Sequence, residues 1–335
     1  MIEGHGDDIF RYGNRIVANF STNILQTVDH SRLMQHLFSE KNLFCNYPEP
    51  DASRVGALIS RKLELPEASI LVTGGATEAI YLLAQLFRGA RSSIVVPTFR
   101  EYQDACKIFS HKITFLNSIT ELSEDARMVW LCNPDNPTGL TYAPELLESF
   151  IRNHPEMIFV IDQAYKEYSV KEVLSLEKVR EYPNLVILQS LTKRFSIPGL
   201  RIGYLVAHPD IIAGIKACKM PWSVNVIAIE AALYLLHHEA DYIIPHLTLH
   251  SEALRIQKKF KESGISTYPT DCNFFLAELP DGKAADLKNW LVDNYGILIR
   301  DASNFEGLSQ RHFRVAAQTP HLNNMLIEAV RKWMS

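Results

Sequence analysis

Between residues 70 and 207, short apolar runs alternate with helical stretches, and this alternation constrains the fold more than any other feature. The runs lie at 70–73, 94–96, 113–116, 128–132, 157–161, 185–188 and 204–207. Too short for buried helices, they read as strands. Helical periodicity occupies 53–63, 78–87, 102–108 and 144–152. Strands alternating with helices predict an α/β fold around a mostly parallel sheet. Ligands of such sheets bind beyond the carboxyl ends of the strands. The polar residues just past each strand are therefore the ones to inspect.

Those positions carry chemistry. The run 70–73 breaks at Gly74-Gly75-Ala76-Thr77 and opens a helix. Free amides at a helix N-terminus face an anion, and glycine lets the backbone approach it closely. Pro97-Thr98-Phe99 follows a second strand. Asn133-Pro134-Asp135-Asn136-Pro137-Thr138-Gly139 follows a third, and Asp162-Gln163-Ala164-Tyr165 a fourth. After 185–188 come Ser190-Leu191-Thr192-Lys193 and, eight residues beyond the lysine, Arg201. A lysine among apolar neighbours loses solvation of its ammonium, so its pKa falls and the amine becomes nucleophilic toward aldehydes. It can then carry an aldehyde cofactor. Hydroxyls and an always-charged guanidinium beside it suit a phosphate. Each segment alone has a plain structural explanation: a core phenylalanine, a turn, a helix cap, a surface lysine. Their coincidence at the ends of one sheet indicates a site.

The 335 residues are 47% hydrophobic, ample for one large core or two unequal ones. A net charge of -4 and the lack of a basic stripe give no reason to expect nucleic acid as a partner. Five scattered cysteines read as reduced core thiols of a cytoplasmic protein, and no metal-ligand spacing is present. Met1-Ile2-Glu3-Gly4-His5 has no signal-peptide pattern, and the apolar stretch 226–236 is too short to span a bilayer, so no membrane association is expected. Beyond residue 207 helices dominate at 210–219, 226–238, 242–262 and 322–334, with strand-like runs at 273–276, 297–299 and 312–315. The expected organisation is a large ligand-binding domain, 45–215, and a smaller α+β domain from 1–44 and 216–335.

Taken together, Asn-x-x-Asn-Pro-x-Gly, Asp-x-Ala-Tyr and Ser-x-x-Lys with Arg201 resemble, in order, the fold-type I pyridoxal-phosphate enzymes, the aspartate aminotransferase superfamily. The resemblance covers essentially the whole chain. It implies pyridoxal 5'-phosphate held by Lys193, with Asp162 at the pyridine nitrogen, Tyr165 and Asn136 at the phenolic oxygen and Phe99 on the ring face. Ala76, Thr77, Ser190 and Arg201 would take the cofactor phosphate, and Gly75 and Thr192 would also contact the cofactor. Tyr47 resembles a tyrosine that reaches that phosphate from a neighbouring subunit, implying a homodimer.

Within the superfamily, 190–206, 220–225, 297–300, 313–316, His5-Gly6 and 20–24 are similar to the L-threonine-O-3-phosphate decarboxylases of cobalamin synthesis. The histidinol-phosphate aminotransferases share the superfamily motifs but are less similar over 220–225 and at the N-terminus. A small phosphorylated amino acid or amino alcohol is the implied substrate. Arg314 would hold its α-carboxylate, and His5, Asn23 and Arg300 are further substrate contacts. Three departures stand out: Gln163 where glutamate is usual, acids in His5-Gly6-Asp7-Asp8, and Gln318 where the decarboxylases carry a second arginine.

Overall fold

The structure, a computed structural model, describes residues 7–40 and 42–335. A two-residue strand β1 (Ala18–Asn19) and the helices α1 (Ser31–Ser39) and α2 (Ser53–Leu63) lead into the large sheet. Its elements are β2 (Ile70–Thr73), α3 (Ala76–Leu86), β3 (Arg91–Val95), α4 (Glu101–Ile108), β4 (Lys112–Leu116), β5 (Met128–Cys132), α5 (Pro144–Asn153), β6 (Ile158–Asp162), β7 (Leu185–Gln189), the short α6 (Leu191–Arg194) and β8 (Gly203–Ala207). The seven strands lie in the order β2-β8-β7-β6-β5-β3-β4. β8 runs antiparallel to both of its neighbours, while the pairings from β7 through to β4 are parallel. β5, β7 and β8 are buried along their whole length, which explains their continuous apolar character.

The chain continues through α7 (Pro209–Cys218), α8 (Val226–His237) and α9 (His246–Glu262). It then builds the smaller part from β9 (Ser266–Thr267), β10 (Phe274–Glu278), α10 (Ala284–Tyr295), β11 (Ile297–Leu298), β12 (Arg300–Asp301), β13 (His312–Ala316) and α11 (Pro320–Met334). A four-stranded sheet, β12-β13-β10-β9, packs on a core that includes Phe260, Phe275, Phe313 and Leu326. The boundary expected at 215 falls inside α7. Residues expected in the smaller part, Leu33 of α1 and Ala228 to Leu236 of α8, pack into the large core. Helices 78–87 and 322–334 begin two residues earlier than periodicity suggested, at Ala76 and Pro320.

β1 pairs in parallel with β11, joining Ala18 to Ile297 and Asn19 to Leu298. This clasp carries the N-terminal arm across the smaller part and delivers Ser21, Thr22 and Asn23 to the sheet ends. Gly296 permits it: its φ is +63°, and a Cβ there would stand 2.5 Å from the Arg15 carbonyl oxygen. Among the described residues no helix is long and apolar enough to cross a membrane.

Candidate active site

The carboxyl ends of β2, β3, β5, β6 and β7 open on a cavity of about 310 Å³, closed from above by the N-terminal arm and by β12 and β13. Phe99, Asn136, Asp162, Tyr165, Ser190, Thr192, Lys193, Arg201, Ala76 and Thr77 all line it, with Asn23, Arg300 and Arg314 from the other side. Gly75 caps α3 at φ +88°, and a Cβ there would lie 2.7 Å from Arg201 Nη2. Glycine is what lets that guanidinium fold over the helix N-terminus. The Ser190 and Thr192 hydroxyls lie 2.7 Å apart beside it. A helix N-terminus, hydroxyls and a guanidinium thus lie together at one end of the cavity, donors of the kind that suit a phosphate.

Asp162, at the last position of β6, is buried. Its carboxylate accepts from the Tyr102 hydroxyl and the Ala164 amide, each at 2.9 Å. Burial outweighs these bonds and raises its pKa. A desolvated carboxylate with two neutral donors and no direct ion pair suits a ligand that brings an N–H bearing positive charge, as a protonated ring nitrogen does. Lys193, in the single turn after β7, has its pKa pushed down to about 8. Enclosure by the protein is the largest cause, followed by the charges of Arg314 and Arg201, with Asp7 and Asp162 opposing. Its Nζ stands 5.7 Å from the Tyr165 ring centre. The Tyr165 phenol is raised well above its ordinary value by burial, and Arg314 pulls the other way. The residues present therefore fit pyridoxal phosphate in donor type, charge and enclosure.

Arg314 and Arg300 are register partners on neighbouring strands β13 and β12, so both side chains leave the sheet on the same face, toward the cavity. Arg314 donates to Asn136 Oδ1 and to the Ser21 carbonyl, and its Nε has no hydrogen-bond partner. The bond to Asn136 fixes the amide's orientation and leaves its NH₂ free for the cavity. Arg300 donates to Asn304 Oδ1 at 2.7 Å and lies over the Phe305 ring. Burial lowers both arginines to about 10. The buried Asn23 amide makes no well-formed hydrogen bond, although it sits close enough to Tyr165 to favour the phenolate.

Among the residues in or behind the cavity wall that were not anticipated as site residues, Tyr102, Arg100 and Asp7 bear most on its chemistry, Tyr102 from behind the lining and the other two from within it. Tyr102 supports Asp162 from α4 while stacking on Trp130. Arg100 follows Phe99 directly and lines the cavity. Asp7, noted only as a departure, reaches the cavity and accepts from Asn19 Nδ2 at 2.7 Å. Asp8 instead pairs with Lys288 at 2.6 Å. The other departures are structural. Gln163 links β6 to the chain that follows, donating to the Leu174 carbonyl and accepting from Gln189. Gln318 is buried away from the cavity and clasps the arm, donating to the Ile24 carbonyl and accepting from the Gln26 amide. His5 lies outside the described residues. Tyr47 does not reach this chain's cavity. It is 87% exposed, with its ring 5.5 Å from that of Trp222.

A mostly parallel sheet, a glycine-capped helix N-terminus under a guanidinium and a low-pKa lysine near a buried aspartate define a class, and the sequence places the chain in it: residues 15–330 match the aminotransferase class I and II family, to which the chain belongs. Among individual relatives, threonine-phosphate decarboxylase of Salmonella typhimurium is 31% identical over 308 residues, covering 87% of this chain and 84% of that protein. Histidinol-phosphate aminotransferase of Symbiobacterium thermophilum is 28% identical, covering 85% and 81%. The crystal structure of L-threonine-O-3-phosphate decarboxylase from Porphyromonas gingivalis matches with a TM-score of 0.92 at 36% identity, covering 95% of this chain and 99% of that one.

Proposed function

We propose that this chain is a cytoplasmic, pyridoxal 5'-phosphate-dependent lyase that decarboxylates L-threonine O-3-phosphate to (R)-1-amino-2-propanol O-2-phosphate, a step of cobalamin biosynthesis. The observation that carries the reading is the Arg300–Arg314 pair, two guanidiniums on one face above the lysine, suited to a substrate bearing two separate anions. The similarity to threonine-phosphate decarboxylases in both sequence and structure supports it.

The roles in this reading are those the resemblance implies, and the lining of the cavity supports them. Ala76, Thr77, Ser190 and Arg201 hold the cofactor phosphate, Gly75 and Thr192 also contact the cofactor, and Phe99 covers the ring. Asp162 keeps a proton on the ring nitrogen, because an adjacent carboxylate stabilises the cation. Tyr165 and the free NH₂ of Asn136 bind the phenolic oxygen. When bound, the cofactor supplies an electron sink for the bond broken at the substrate's Cα. Lys193 carries the cofactor between turnovers and moves protons at Nζ, a task suited to an amine that titrates near 8. Arg314 holds the α-carboxylate, and Asn23 and Arg300 contact the rest of the substrate, with His5, outside the described residues, a further contact implied by the resemblance alone. Because these anchors would set how the substrate's Cα is oriented toward the cofactor, they would decide between losing carbon dioxide and losing a proton.

The working unit is a homodimer in which Tyr47 completes the partner's phosphate cradle. Its exposure, together with Phe38, Phe44 and Met220 exposed on the same chain, supports this.

The test supplies L-threonine O-3-phosphate alone to cofactor-loaded protein and traps carbon dioxide. In parallel, histidinol phosphate is supplied with 2-oxoglutarate. Carbon dioxide without glutamate is the expected result. Glutamate without carbon dioxide replaces the reading with a histidinol-phosphate-type aminotransferase, the activity named for a 28% identical relative.

A further inference from the structure

We propose that Arg100 is a specificity-determining residue that joins Arg300 to bind the substrate's phosphate, an inference that rests on the decarboxylase reading. The α-carboxylate carries one charge and is met by Arg314. A phosphate monoester carries about 1.5–2 charges near neutrality, more than one guanidinium offsets. Gln318 supplies no cation, because it is buried in the arm contact. Arg100 supplies one at the cavity wall.

Its surroundings leave it available. The ion pair with Asp104 spans 3.4 Å, and the contact with the Asn304 carbonyl is 3.5 Å, at the limit for a hydrogen bond. Nε, the nitrogen that faces Asp104, makes no well-formed hydrogen bond, and the side chain is 36% exposed, with room to turn. Arg300 donates to the amide oxygen of the same Asn304, so the two guanidiniums bracket one residue. They are close enough for Arg100 to lower the pKa of Arg300. A dianion seated between them relieves that repulsion and accepts a charge-assisted bond from each. Among the described residues the acids nearby are Glu101, which lines the cavity and accepts from the Tyr81 hydroxyl, Asp104 against Arg100, and Asp301 and Asp8 acting on Arg300, with Asp8 engaged by Lys288. Asp7 acts instead on Lys193 and Arg314. The Arg100–Arg300 end is thus the phosphate end, and the Arg314 end takes the carboxylate.

Arg100→Ala and Arg100→Lys holoenzymes test this by calorimetric binding of 1-amino-2-propanol O-phosphate and of unphosphorylated 1-amino-2-propanol. Arg100→Ala is expected to raise Kd for the phosphate ester about 10- to 100-fold, the loss of one charge-assisted contact, and to leave the alcohol unchanged. Arg100→Lys recovers part of the loss. In turnover the change falls on KM with kcat nearly constant. Equal weakening of both amines, or no weakening of either, overturns the proposal. If the wild type makes glutamate and no carbon dioxide, the decarboxylase reading fails, and the comparison is repeated with histidinol phosphate against histidinol. A selective loss there retains Arg100 as a phosphate ligand, and an equal loss or none removes it.

Discussion

Replacing Arg314 by alanine separates the two anion contacts of the substrate. The side chain is 4% exposed, holds Asn136 Oδ1 and the Ser21 carbonyl, and keeps Nε free. Each hydrogen bond to a charged group contributes about 1.5–3 kcal/mol. With two of its nitrogens already engaged, Arg314 offers a carboxylate one strong bond and part of a second. Arg100 and Arg300 remain to blunt the loss of charge. The expected penalty is therefore about 2–3 kcal/mol, the lower part of the range for an unpaired buried charge, or roughly 30- to 150-fold. The fold loses about 1–2 kcal/mol, because Asn136 and Ser21 exchange a fixed donor for water. The assay compares kcat/KM for L-threonine O-3-phosphate with Kd for 1-amino-2-propanol O-phosphate, which has no carboxylate. The first should fall by that factor and the second should hold. If both weaken equally, Arg314 shapes the cavity without binding the carboxylate, and the assignment is refuted.

Lys193→Ala should abolish both the visible absorbance of loaded protein and borohydride fixation of the cofactor; a retained, reducible band would point to another lysine. Cofactor attachment to apoprotein should speed up as pH rises through about 8, because only the neutral Lys193 amine reacts. Asp7 holds the proton on, so Asp7→Asn should shift the midpoint to lower pH, and an unchanged or higher midpoint in stopped-flow absorbance would count against that coupling. Gly75→Ala adds a Cβ at positive φ, costing about 1–2 kcal/mol, and drives it against Arg201. Cofactor retention on dialysis should drop at least about tenfold, and undiminished retention would exclude the cradle. Sedimentation should give about twice 38.1 kDa, with Tyr47→Phe loosening the cofactor; a monomer with full activity would remove Tyr47 from any shared site.

The strands β2, β5, β7 and β8 were readable because burial on both faces makes them continuous apolar runs. The run 185–188 became Leu185–Gln189, and 70–73 matched β2. The catalytic-looking groups were readable for the same reason. A residue just past a strand end lies at the rim of the sheet whatever the helices do, so Asp162, Ser190 and Phe99 reach the cavity by chain position alone. Arg100 is not legible because a lone arginine at the N-cap of α4 has the sequence signature of a surface residue, and Tyr102 because an aromatic on a helix face usually means core.

Sequence by itself determined the mostly parallel sheet, the rim positions and the family, all properties of local pattern and order along the chain. Only the tertiary structure decided how the rest of the cavity is walled. Arg300 and Arg314 share a face because the β12–β13 register sets them opposite each other. Asp7 and Asn23 enter because β1 clasps β11, some 280 residues away. Gln318 turned out to be a strut for the arm, because that same crossing leaves the Ile24 carbonyl and Gln26 amide to be satisfied. Register, side-chain direction and long-range pairing depend on which distant surfaces meet, and no short window of sequence contains both surfaces.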